Sequence, residues 1–303
     1  MSPASARLSP LGWLANQPYL LLSLTSLFWA GNIVLGRFVA GHVPPVTLSC
    51  VRWIGAMLLL LPFAWPYLRR DWPVLRARWR LMLVLSATGF AINNALAYWA
   101  LQYTEALNAL LIQSSGPLFV ALWSLALFGV RLTPMQGVGI TVSLIGVLTI
   151  ILRGDFAALA QVQFNRGDLM FAASLCAFGL YSALMPKRPA GHPLSLIVVG
   201  TGGGALMLLP FAAWEFAAGI RPSADWLTAG VLAYAVIFPS VLAYICFNRG
   251  IALVGPNRAA PFFHLVPVFG SAMAIVFLGE KPELFHLAGY LLVVAGVVTA
   301  ARR

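Results

Sequence analysis

Asn94, Tyr98 and Gln102 follow one another at intervals of four within an apolar stretch, and Ser240, Tyr244 and Asn248 repeat that spacing in a second one. On a helix, residues at i, i+4 and i+8 share one stripe. A polar stripe on a bilayer-spanning helix either lines a wetted cavity or hydrogen-bonds to neighbouring helices. Two stripes of one pattern fit two facing walls of a cavity, and helix–helix bonding is the alternative for the same residues. Asn93 lies beside the first stripe. Trp29 and Asn32 stand at i, i+3 next to Gly31, whose match further along, Gly179, is followed by Tyr181. Trp99 is also deep in an apolar run. Gln113 and Ser114 precede Gly116-Pro117, and His264 occupies the position matching Ser114, ahead of Pro267. Amides and hydroxyls can hold an ammonium and a carboxylate without a fixed charge, and Tyr and Trp faces can stack on an apolar or aromatic group.

The chemistry that is missing narrows the reading further. There is no HExxH and no CxxC, and Cys50, Cys176 and Cys246 all lie inside apolar runs as small core residues. No paired carboxylates lie within an apolar run, so no catalytic residue, metal site or cofactor is expected, and the chain is not expected to be an enzyme. Glu105, Glu215 and Glu280 fall at the ends of runs, and Arg52 is close enough to the end of its run to reach the interface by snorkelling. His264 is then the one mid-run group able to carry a proton. A cavity walled by neutral groups is expected to pass a zwitterion by facilitated diffusion. Proton coupling through His264 is the alternative.

The elements that hold these residues follow from composition. Of 303 residues, 61% are hydrophobic and 9% charged, with a mean hydropathy of +0.88. Soluble domains are about 45–50% apolar and about 25% charged, so lipid must solvate most of this chain. A crossing helix takes about 20 residues, and unpaired backbone in lipid rules out open strands. Apolar runs give ten expected helices, at 19–39, 46–67, 80–102, 106–129, 135–152, 168–185, 194–217, 226–248, 258–279 and 284–301. Little remains for a soluble domain. The net charge of +11 reads as loop cations and not as a nucleic-acid surface. With residues 1–18 cytoplasmic, inside segments collect most Lys and Arg, including Arg69, Arg70, Arg76 and Arg78, so both termini are expected in the cytoplasm. The dominance of Arg over Lys (Lys187 and Lys281 alone) suits a GC-rich bacterium, and hence a bacterial inner membrane.

The chain also repeats. Gly41-His42 recurs as Gly191-His192, Leu61-Pro62-Phe63-Ala64 as Leu209-Pro210-Phe211-Ala212, and Leu96-Ala97-Tyr98 as Leu242-Ala243-Tyr244. Pro117, Gly129, Gly139 and Gly146-Val147 recur as Pro267, Gly279, Gly289 and Gly296-Val297. The expected units are 19–152 and 168–301. Five helices is an odd number, so the second unit starts on the opposite side of the membrane, giving inverted-topology repeats around a central cavity, a transporter architecture. Proline permits a kink, so Pro117 and Pro267 are expected as paired hinges, with static packing kinks as the alternative.

The Pro…Gly…Leu132/Lys281…Gly…Gly-Val pattern in both halves resembles the drug/metabolite transporter superfamily, whose EamA-type exporters have ten helices. The resemblance spans about residues 19–301 and is greatest to bacterial aromatic amino-acid exporters. The second half keeps that family's Gly-Glu pair as Gly279-Glu280, where the first has Gly129-Val130. The resemblance implies export of an aromatic or other apolar amino acid by alternating access. Another metabolite or a drug is the alternative cargo. The partners implied are that small solute and the lipid bilayer, with no obligate protein partner evident.

Overall fold

The computed structural model describes residues 10–39, 41–104, 109, 112–161, 165–278 and 283–301, and no strand occurs among them. Residues 1–9, Glu105, Gly279, Glu280 and Lys281 lie outside that set. After a short turn at Pro10–Leu14, the main helices are α1 (Pro18–Phe38), α2 (Pro45–Ala77), α3 (Trp79–Ala100), α4 (Gly116–Phe128) and α5 (Pro134–Ile151). They continue as α6 (Arg166–Leu184), α7 (Pro193–Ala217), α8 (Trp226–Val254), α9 (Leu265–Leu278) and α10 (Leu284–Ala301).

Local chemistry sets the boundaries. Proline opens α1, α2, α5 and α7, where a missing N–H costs nothing. Thr133 with Gln136 and Asn165 with Asp168 form capping boxes on α5 and α6. Gly129 closes α4 in the left-handed region at φ 66°.

Among the described residues, eight helices are long and apolar enough to cross a bilayer by themselves. The other two depart from expectation in the same way. Over the fourth and ninth expected runs the described helices are shorter: α4 has 13 residues and α9 has 14, with a 3-10 turn at Ala260–His264 leading into α9. Pro117 and Pro267 lie in the first turns of these helices, so each proline starts a helix after a break and does not kink one in mid-course. α2 corrects the expected length in the other direction. It runs 33 residues, to Ala77, carrying Arg69 and Arg70 beyond the end expected near 67.

Side-chain contacts fix the direction of each helix. Tyr19 donates to the Ala301 carbonyl at 3.1 Å, so the start of α1 and the end of α10 share one face, here the terminal face. Arg249 donates to the Ala15 carbonyl at 2.8 Å, which puts the end of α8 there too. His42, after α1, lies 2.9 Å from Asp225, which precedes α8, so both belong to the opposite, distal face. The Thr104 hydroxyl donates to Asp168 at the start of α6, also distal. Thus α1 leaves the terminal face while α6 leaves the distal one.

The long helices α2 and α7 pack antiparallel along their lengths, as do α5 and α10. A carboxylate near the end of each of α2 and α7 caps the beginning of the other. Glu215 accepts from the Val46 and Thr47 amides at 3.1 and 2.7 Å and from the Thr47 hydroxyl at 2.7 Å. Asp71 accepts from the His192 amide at 2.7 Å and the Ser195 hydroxyl at 2.9 Å. Both satisfy N–H groups that a helix start leaves unpaired. The remaining contacts are reciprocal as well: α1 packs on α8 and α9, and α6 packs on α3 and α4.

Candidate functional site

Two π-helical segments, Ala87–Ile92 in α3 and Val236–Leu242 in α8, occupy matching places in the two halves. A π turn widens the helix and exposes carbonyls, and such turns are frequent at functional sites. Here aromatic and amide donors take up those carbonyls. Trp53 donates to Phe90 O at 2.8 Å, Asn94 to the same oxygen at 3.3 Å, and Trp29 to Pro239 O at 3.3 Å. Tyr244 donates to Gly89 O. The widened turns therefore anchor the residues that surround a cavity lined by helices of both halves.

That cavity is small in this conformation, with room for about 80 Å³ of water-sized occupants. Trp29 and Asn32 of α1, Arg52 of α2, and Asn93, Asn94 and Tyr98 of α3 form one side. Gln113 and Gly116 at the start of α4, Phe171, Ser174 and Phe178 of α6, Tyr244 of α8 and Phe263 complete it. Arg52 follows the distal start of α2 by about two turns, or about 10 Å, so the cavity occupies the distal half of the bundle.

A polar network converges on Arg52, which is 1% exposed. Its Nε donates to Ser240 Oγ at 2.8 Å, and its Nη1 donates to Asn94 Oδ1 at 3.1 Å and to the Tyr98 hydroxyl at 2.7 Å. Tyr98 in turn donates to Asn32 Oδ1 at 2.6 Å. Asn94 donates to Asn93 Oδ1 at 3.1 Å, and Asn93 donates to the Ser174 carbonyl at 2.9 Å. The guanidinium lies 4.5 Å from the Trp53 ring centroid and 5.7 Å from that of Tyr98. Toward the terminal face the cavity is floored by rings: Trp29 lies 5.3 Å from Phe178, 5.1 Å from Phe247, 5.9 Å from Tyr244 and 5.8 Å from Phe263.

This overturns the expectation of a cavity walled only by neutral groups, with Arg52 snorkelling outward. Arg52 turns inward because its neighbours on α3 and α8 offer three neutral oxygens and α2 itself offers a ring. The sequence carried part of the signal, since Asn94 and Tyr98 on one stripe and Ser240 on the other supply acceptors from two helices.

The residues expected to line one cavity separate into groups. Trp29, Asn32, Asn93, Asn94, Tyr98, Gln113 and Tyr244 do line it together. Ser240 sits behind the Arg52 guanidinium, fully buried and donating to Ala235 O at 2.6 Å. Gln102 is exposed in the turn that follows Ala100, out of helical phase with the stripe. Trp99 is 42% exposed on the outer surface of α3. Tyr181 and Asn248 are bonded to each other at 2.7 Å and line a second, smaller cavity with Phe90, Met185, Arg188 and Gly200. The separation follows from helix direction. α3 runs toward the distal face and α8 toward the terminal face, so equivalent residues of the two stripes diverge in depth, and only their middles meet.

Ser114 and His264 are removed from the cavity as well. His264 is 0% exposed, with Nδ1 against the Ser143 hydroxyl of α5 and Nε2 2.8 Å from the Ser114 carbonyl. Both ring nitrogens are engaged in joining α5 to the break before α4. Phe178, Phe171 and Phe263 are cavity residues that hydropathy could not single out, because a phenylalanine facing a cavity and one facing lipid look alike in sequence.

A polar, charge-bearing pocket inside an all-helical, lipid-solvated bundle defines a multi-pass membrane transporter. The chain belongs to the EamA-like transporter family, whose pattern matches twice, over residues 16–152 and again over 165–302. It is 28% identical over 292 residues to an uncharacterized transporter of Archaeoglobus fulgidus, covering 95% of this chain and 99% of that one. It is 27% identical to a probable amino-acid metabolite efflux pump of Salmonella typhimurium, covering 91% and 92%. A probable terminal-alkyne amino-acid exporter of Streptantibioticus cattleyicolor is 26% identical, over 93% of this chain and 92% of its own. A solved crystal structure shares the fold with a TM-score of 0.71 at 20% identity, covering 94% of this chain and 98% of the other.

Proposed function

We propose that this chain exports amino acids with apolar or aromatic side chains, and similar small amphipathic solutes, across a bacterial inner membrane by alternating access. The cycle makes and breaks no covalent bond in the solute. The observation that carries the reading is a cavity with polar walls and an aromatic cluster, built from helices of both halves. The amide and hydroxyl groups suit the polar end of an amino acid, and the rings suit its side chain. The names of the Salmonella and Streptantibioticus relatives point to the same class of cargo.

Inverted five-helix repeats with cytoplasmic termini supply the mechanism. In support, the family pattern matches twice, the halves start from opposite faces, and their contacts are reciprocal. The Tyr98–Asn32 bond joins α3 to α1 at the open cavity, while the Tyr181–Asn248 bond joins α6 to α8 at the small terminal-side pocket. Exchanging the conformations of the two halves expands the second pocket and collapses the first. The cavity contains no carboxylate or histidine among the described residues, which supports facilitated passage without stoichiometric proton exchange.

Counterflow of labelled phenylalanine or tryptophan into proteoliposomes tests the reading. Wild-type protein is expected to exchange label without an imposed pH gradient, and Tyr244→Ala, which opens the floor, to lose most of that exchange. Competition by uncharged drugs but not by amino acids refutes the cargo. Uphill accumulation driven by a pH step and lost in His264→Ala refutes the facilitative mode.

A further inference from the structure

Arg52 is the one buried guanidinium at the cavity among the described residues, and its surroundings are incomplete in a specific way. Its three bonded partners, Ser240, Asn94 and Tyr98, are neutral. The ion pairs formed by the described residues lie elsewhere, at His42–Asp225 and Arg70–Asp71, and Glu215 is spent on the start of α2. Nε and Nη1 are engaged, whereas Nη2 has no acceptor among the described residues. A buried charge without a counter-ion is strongly unfavourable, and neutral oxygens orient a guanidinium without neutralising it. The Trp53 and Tyr98 rings hold its plane in place, so little is lost in ordering it when an anion arrives.

We infer that Arg52 is the carboxylate receptor of this transporter: the cavity takes solutes with one free carboxylate beside an apolar or aromatic body, and reads the carboxylate far more strictly than the amine. The inference rests on the export reading only in treating the cavity as the solute's site. A carboxylate oxygen on Nη2 forms a charge-assisted hydrogen bond and supplies the missing negative charge. The amine has no comparable partner. Among the described lining residues no carboxylate faces it, and it meets only amide oxygens such as those of Asn32 and Gln113. One guanidinium with no second cation in the lining matches a carboxylate better than a doubly charged phosphate monoester.

Three ligands of one shape separate the groups: L-phenylalanine, L-phenylalaninamide and 3-phenylpropanoate. Each is measured for stabilisation of the purified protein against heat and for competition with labelled phenylalanine in counterflow. On wild type the amide is expected to bind at least about tenfold more weakly than phenylalanine, and the des-amino acid within about threefold of it. Arg52→Gln is expected to erase the difference between acid and amide, and Arg52→Lys, which keeps the charge and loses the fork, to retain part of it. Because the wild-type comparison needs no variant, a misfolded Arg52→Gln leaves the test intact. Equal binding of amide and acid to wild type overturns the inference, even if phenylalanine is exported. If phenylalanine is not transported but 3-phenylpropanoate still stabilises wild type more than L-phenylalaninamide does, the export reading fails and Arg52 keeps its role.

Discussion

Tyr98 sits between a cation and an amide, accepting from Arg52 and donating to Asn32. Tyr98→Phe keeps the ring and strands both partners, and an unmet buried group costs about 1–3 kcal/mol. Counterflow by this variant is expected to fall by about tenfold or more, with the protein still folded. Trp99 is its neighbour in sequence but faces outward, so Trp99→Ala is expected to transport within about twofold of wild type. Comparing the two rates checks the division of the α3 residues between cavity and surface. At this scale the sequence was partly legible. The interval of four found Asn94 and Tyr98, but it also included Gln102, because periodicity has no knowledge of where a helix stops. It assigned Arg52 to the interface from its distance to the span end, when the deciding factor was three oxygens contributed by other helices.

The repeated glycines explain themselves at the level of helices. Gly139 and Gly146 of α5 face Gly296 and Gly289 of α10. A Cβ at Gly139 would fall 2.5 Å from Gly296 O, and one at Gly146 would fall 2.8 Å from Gly289 O. Backbones this close depend on van der Waals packing between small residues, since lipid offers no hydrophobic drive between helices. Gly139→Leu and Gly289→Leu are each expected to destabilise the protein by about 1–3 kcal/mol or more, seen as a lower melting temperature and loss of monodisperse material. Gly137, two residues before Gly139 on another side of the helix with open space around it, is the control: Gly137→Ala is expected to be neutral or slightly stabilising. The motif was visible in the sequence as a recurrence, yet its purpose was not, since a fixed offset cannot say which copy meets which. The breaks before α4 and α9 escaped hydropathy for a similar reason: an interrupted apolar run is as apolar as a whole helix.

Across the whole molecule, each face is fastened by an acid from one half. On the terminal face Asp71 of α2 holds the start of α7, where Tyr67 also stacks on His192 at 3.7 Å. On the distal face Glu215 holds the start of α2, and Asp225 caps α8 while pairing with His42. The Thr228 amide, more than the His42 contact, holds the Asp225 carboxyl below its ordinary range. A carboxyl with a lowered folded value contributes stability above its unfolded value, about pH 4, and loses it as pH falls through the folded one. The melting temperature of Asp225→Asn is therefore expected to fall less steeply than that of wild type below about pH 4.

Arg52 has no counterpart in the other half. The flanking motifs are offset by 150 (Gly41 to Gly191) and 148 (Leu61 to Leu209), which brings Arg52 opposite Gly200, Thr201 and Gly202. Under the proposed alternating access the two halves are thus electrically unequal at the cavity, where only the first carries a buried arginine among the described residues. A unit charge carried through the full field changes energy by about 2.3 kcal/mol per 100 mV. If α2 moves through any sizeable part of that field, the resting potential favours one orientation of the empty carrier. A net-neutral zwitterion rides with the guanidinium without cancelling this bias, whereas an amine-free carboxylate cancels it. Fast capacitive currents that accompany solute binding in wild type and vanish in Arg52→Gln are the expected electrical trace of one unpaired arginine.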